Sequence, residues 1–118
     1  MEQTITQQII NTEARIKELE KQVLFGAEVQ KLRILPEFRK VIVEDFMQKE
    51  VVRNMALAGD PSASADIRSD CLAMAYAGGH LHRYMDAQLA MARQAEHDLK
   101  EHKDLLDELR EADAAEGQ

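Results

Sequence analysis

The chain has 118 residues and a formal net charge of −7, with no tryptophan, two tyrosines, three phenylalanines and one cysteine. One domain of this size, so short of aromatics, must build its core from Leu, Ile, Val, Met and Ala, which suits helix-on-helix packing rather than a sandwich or barrel. The single Cys71 excludes an internal disulfide framework and any four-cysteine zinc site, and fits a reducing compartment.

Charge is uneven along the chain. Residues 96–118 carry nine acids and three bases, whereas the first 95 residues are nearly balanced with 13 acids and 12 bases. Without a surplus of Lys and Arg to face phosphate, direct binding to DNA or RNA is disfavoured. No stretch approaches the roughly 18 apolar residues of a membrane span, and no basic region followed by an apolar run opens the chain, so a cytosolic location is expected.

The first element is a helix over about residues 3–26. Ile5, Ile9, Thr12, Ile16, Leu19 and Val23 follow one another in steps of four and three, the signature of a heptad seam, while Glu13, Arg15, Lys17, Glu18, Glu20 and Lys21 keep the flanks solvated. The helix should loosen near Gly26 and break before Pro36, whose ring disfavours helical geometry at Leu35.

Pro36 fits the first turn of a second helix, over about 36–57, with Glu37 near its positive end. At 100° per residue, Phe38, Ile42 and Phe46 share one side of this helix, and Val43, Met47 and Val51 turn to another. One neighbouring helix cannot cover both sides. These six residues are therefore the candidate interaction surface, for self-association or for a docked partner.

Ala58-Gly59-Asp60-Pro61-Ser62 is the strongest turn signal, with Gly59 suited to a left-handed helix end and Asp60-Pro61 to the cap and first position of the next helix. A third helix should run over about 62–112. From Leu81 it carries a second seam through Met85, Gln88, Ala92, Ala95, Leu99, His102, Leu106 and Leu109. Two heptad stripes flanking one turn predict an all-α fold, a long antiparallel helical hairpin or coiled coil with its first arm broken near residues 26–36. Residues 1–112 form its single domain and 113–118 an acidic disordered tail. Leu19 can pair with Leu99 or, one heptad on, with Leu106. Gly78-Gly79 interrupts the third helix at roughly 1 kcal/mol per glycine, which points to a close approach of the second helix or to a kink.

Chemical motifs are sparse. His80 and His82 point about 200° apart on a helix, so they cannot share a metal ion unless Gly78-Gly79 unwinds it. His97 with Glu101, and Asp98 with His102, read as pairs one turn apart on an acidic helix. His102 lies on the seam, where a polar residue can set register and respond to pH. Cys71, in a helical run with Leu72, Ala73 and Met74, reads as a packed thiol. No phosphate loop, nucleophile elbow, zinc-protease motif or calcium loop occurs, so no enzyme activity, cofactor or resident metal is expected.

The string LPEFRKVIVEDFMQKEVVRNMALAGDP, followed after a short gap by AMAYAGGHLHRYM, resembles small helical proteins encoded among tailed-bacteriophage virion and head-assembly genes. The resemblance covers roughly residues 35–85 and carries no catalytic motif. It implies a phage particle-assembly protein, located in the host cytoplasm or the virion, with another phage structural protein as partner, while the two-sided second helix points to a homo-oligomer. Phage scaffolding proteins are often helical and acidic, as this chain is. Many end in a basic helix that binds coat protein, whereas this chain ends in Glu-Ala-Asp-Ala-Ala-Glu-Gly-Gln, which makes an accessory structural or regulatory role comparably fitting. The alternative function is that of a small acidic inhibitor, engaging a host or phage enzyme through Asp104, Asp107, Glu108 and Glu111.

Overall fold

A computed structural model describes residues 3–117. It is all-α. Helix α1 spans Ile5–Arg33, a short α2 spans Pro36–Phe38, a π-helix π1 spans Arg39–Lys49, α3 spans Glu50–Ala58 and α4 spans Ala65–Glu116. With α2, π1 and α3 running on as one middle arm, the chain is an antiparallel helical hairpin whose first arm is broken before Pro36.

The two ends of α1 follow from local chemistry. Thr4 and Gln7 form a reciprocal capping box: the Gln7 amide donates to Thr4 Oγ1 at 3.1 Å, and the Thr4 amide donates to Gln7 Oε1 at 3.2 Å. At the other end Leu35 is extended at φ −63°, ψ 130°, as the following proline requires. The last turn tightens as the Leu35 amide reaches the Leu32 carbonyl at 3.2 Å. Gly26 does not loosen the helix as expected. It continues the seam three residues beyond Val23 and is buried, so the break falls at residues 34–35 instead.

The turn after α3 also differs from expectation. Gly59 stays right-handed at φ −89°, ψ −2°. Asp60 does not cap the next helix. Its Oδ1 accepts from the Ser62 amide at 2.9 Å and the Ser62 hydroxyl at 2.7 Å, a local Asx turn. Those hydrogen bonds, the backbone one first, hold the Asp60 carboxyl below its ordinary pKa. Ser64 is the cap: its Oγ accepts from the Ile67 amide at 3.2 Å, and α4 begins at Ala65 rather than at residue 62. At the far end α4 continues to Glu116, so residues 113–116 are helical and not a disordered tail.

The chain divides into two compact units rather than a single one. Unit 1 comprises the residues up to Glu28 together with those from Leu89 onward. Its core is the pair of heptad seams, with Thr12, Ile16, Leu19, Ala92, Ala95 and Leu106 buried and Leu19 only 1 % exposed. A 3.7 Å ion pair joins Glu13 to Arg110 across the arms. At equal rise on two antiparallel helices, that pair puts Leu19 level with about residue 104. The Arg33–Asp86 pair between the same two helices puts it level with about residue 100, so Leu19 sits opposite the stretch from Leu99 to Leu106, around His102.

Unit 2 is Val29–Gln88. It holds the end of α1, the whole middle arm and the first part of α4, around buried Val29, Asn54, Ala75, Gly78 and Met85. Asn54 needs no partner from another helix, because its Nδ2 donates to the Glu50 carbonyl at 2.7 Å, one turn back.

Candidate interaction surface

All six residues singled out on the middle arm, Phe38, Ile42, Val43, Phe46, Met47 and Val51, are half-buried. They do not form two opposed faces. The covered positions 38, 42–43, 46–47, 50–51, 54 and 58 repeat every four residues. On a pure α-helix, steps of four drift forward by about 40° each, which would separate the two trios. In π1 the bonds run from residue i to i+5, as in the Glu50 amide to the Asp45 carbonyl, and the turn takes in more than four residues. Steps of four then drift backward, offsetting the α drift on either side. A single inward stripe results, and the proposed second face is corrected to part of it.

Gly78 shows what this stripe packs against. A Cβ built at Gly78 would lie 3.3 Å from the Met47 Cα and 3.3 Å from Val51 Cγ2, with the Phe46 carbonyl oxygen at 3.5 Å. The glycine thus serves a close approach of α4 to the middle arm. Gly79, facing away, has nothing within 4 Å of such a Cβ. α4 passes through both without interruption.

What remains exposed is a different set. On the middle arm Val52 is 71 % exposed, Val41 57 % and Met55 47 %, and at the break Ile34 is 61 % exposed. Among the described residues, eleven of the sixteen large apolar side chains left exposed belong to unit 2, although the two units are almost equal in length. Charge divides the other way. Unit 2 has eight acids and eight bases, whereas the sequence of unit 1 has 14 acids and 7 bases and so carries the whole net charge of −7.

An open cleft of about 480 Å³ lies in unit 2 beside the turn, lined by Met55, Ala58, Gly59, Ala65, Arg68, Ser69 and Leu72. Arg68 holds its wall in place, donating from Nε to the Ala58 carbonyl at 3.0 Å. Cys71, on the next turn of α4, is half-buried rather than sealed in the core.

The histidines are dispersed. His82 Nε2 lies 3.0 Å from Asp86 Oδ2, while Asp86 Oδ1 takes Arg33 Nη1 at 2.9 Å, tying the end of α1 to α4 within unit 2. His80 takes no part in this group, consistent with an uninterrupted helix. His97 pairs with Glu101 at 3.2 Å, as expected from spacing. Half-buried His102 instead places Nδ1 2.8 Å from the Asp98 carbonyl, and the Asp98 carboxylate takes Gln94 Nε2 at 3.0 Å. No buried side-chain nitrogen or oxygen among the described residues lacks a partner, and no described helix is long and apolar enough to cross a membrane.

The class these features define is an all-α helical hairpin with an acidic unit and an electrically balanced, apolar-surfaced one. Comparison with protein-family models, with curated proteins and with solved structures gave no match.

Proposed function

We propose that the chain is a non-enzymatic helical assembly protein that associates through unit 2, with itself or with a structural protein of a phage particle. The observation that carries this reading is the concentration of exposed apolar side chains in the unit with no net charge. Two copies meeting through unit 2 encounter no net repulsion, while acidic unit 1 remains hydrated and resists random clumping. The phage context rests on the resemblance over residues 35–85, a segment contained in unit 2.

Sedimentation velocity across a concentration series tests self-association. The paired substitution Val41→Ser and Val52→Ser should shift the protein toward monomer without changing its helicity, because both side chains are already in water. A wild-type chain that stays monomeric at high micromolar concentration removes the homo-oligomer, and capture of virion proteins from infected cells then tests the hetero-partner.

The helical acidic stretch ending at Glu116 favours one second reading, an inhibitor that engages a basic surface through Asp104, Asp107, Glu108 and Glu111. Salt separates the two. Binding through the acidic helix falls steeply as ionic strength rises, whereas apolar association holds or strengthens.

A further inference from the structure

We propose that His97, Asp98 and Glu101 form a binding site for a zinc-type transition dication on the outer face of α4 in unit 1. The three residues offer one imidazole nitrogen and two carboxylate oxygens, and these ligand atoms lie within 4.8 Å of one another. Positions i, i+1 and i+4 fall within about 100° of arc on a helix, so all three reach the same point in space.

The distances suit a small tetrahedral ion. Donors about 2.0–2.2 Å from such an ion stand roughly 3.4 Å apart. His97 Nε2 and Glu101 Oε1 are already 3.2 Å apart. Asp98 has one oxygen held by Gln94 Nε2 at 3.0 Å, which leaves its other oxygen for the ion. To close the triad, ligand atoms that lie within 4.8 Å of one another must draw together to roughly 3.4 Å.

Two further features favour a cation here. Among the described residues neither Asp98 nor Glu101 forms an ion pair with a lysine or arginine, so no resident positive side chain must be displaced. The surrounding unit also carries the entire net negative charge of the chain, which raises local cation concentration. The mixed nitrogen and oxygen donor set selects a first-row transition dication over calcium or magnesium, which prefer six or more oxygens. Three protein donors leave a fourth position for water or for a donor from another molecule. Because the triad converges only when α4 is helical, the ion binds the folded chain and stabilises it.

Isothermal titration of the full chain with zinc chloride, run beside magnesium chloride and with parallel thermal melts, tests the site. One zinc per chain, a raised melting temperature and no response to magnesium are expected. Losing an outer-shell partner already weakens metal sites roughly 10–100-fold, so His97→Gln and Glu101→Gln should each lower zinc affinity at least about tenfold. His82→Gln, on the similar pair with Asp86, should leave it unchanged. The absence of zinc binding in the wild type, unchanged affinity in His97→Gln, or loss of binding in His82→Gln would overturn the assignment.

Discussion

Adjacent glycines in the middle of a helix offer a test in which the same substitution must give opposite results. Gly79→Ala adds a methyl group with nothing within 4 Å. It should raise stability by roughly 0.8–1.0 kcal/mol, the helix-propensity difference between glycine and alanine. Gly78→Ala gains the same propensity but places its Cβ 3.3 Å from a backbone atom of Met47 and 3.3 Å from Val51 Cγ2. Those neighbours must give by a few tenths of an ångström across a packed helix pair, and overpacking of this kind costs about 1–3 kcal/mol. The net change at Gly78 should therefore lie between neutral and about 2 kcal/mol destabilising. Gly78→Val, with two more carbons at the same contact, should be clearly worse. Urea denaturation of the three variants followed by circular dichroism measures the differences, and each kcal/mol should move the melting temperature by roughly 4 °C. If Gly78→Ala stabilises as much as Gly79→Ala, the close approach of α4 to the middle arm is wrong, and with it the packing of unit 2.

Four other outcomes follow from the same geometry. Met47→Ala should cost about 1–3 kcal/mol and expose unit 2 to proteolysis, because the side chain belongs to the inward stripe; a change in association without loss of stability would restore the two-faced reading. Thr4→Ala removes one half of the capping box and should cost about 0.5–2 kcal/mol, seen as faster amide exchange over the first turn of α1, with Gln7→Ala behaving alike. Gly59→Ala should be tolerated or stabilise by about 0.4–1 kcal/mol, since the residue is right-handed and a Cβ meets only carbonyl oxygens at 3.6 and 3.8 Å; a clear loss would show that the turn needs a left-handed residue after all. The Asp60 carboxyl has a folded-state pKa below its ordinary value of 3.8. Its turn therefore contributes stability that is fully present above that value and is lost as pH falls through the lowered folded pKa. Asp60→Asn should flatten this part of the acid limb of the stability profile, and an unchanged limb would show that the Ser62 hydrogen bonds do not favour the ionised form.

Much of the fold was legible because helices advertise themselves by period. The seams from Ile5 to Val23 and from Leu81 to Leu109 were read from spacing alone, and all of these positions are buried or half-buried. Pro36 fixed the break for a covalent reason. Other signals were present but unread, notably Thr4-Ile5-Thr6-Gln7 as a capping box and Gly26 as the next step of the seam. Asn54 was missed because a buried amide that bonds its own helix leaves no pattern of partners. The zinc-type triad was half-visible: His97 and Glu101 are one turn apart in sequence, but the convergence of Asp98 on the same point depends on rotamers.

The sequence alone determined that this chain is helical, that it doubles back near residue 60, and that its two ends carry matching apolar stripes, because these properties depend on local dihedral limits and residue spacing. Only the tertiary structure decided which surface is spare. The middle arm looked two-faced under uniform α winding, yet a π-helical stretch gathers Phe38, Ile42, Val43, Phe46, Met47 and Val51 onto one inward stripe, with Gly78 admitting α4 against it. Register, too, required two helices in place, since a heptad pattern repeats every seven residues and cannot tell one alignment from the next; the Glu13–Arg110 and Arg33–Asp86 pairs bracket it, placing Leu19 opposite the stretch from Leu99 to Leu106.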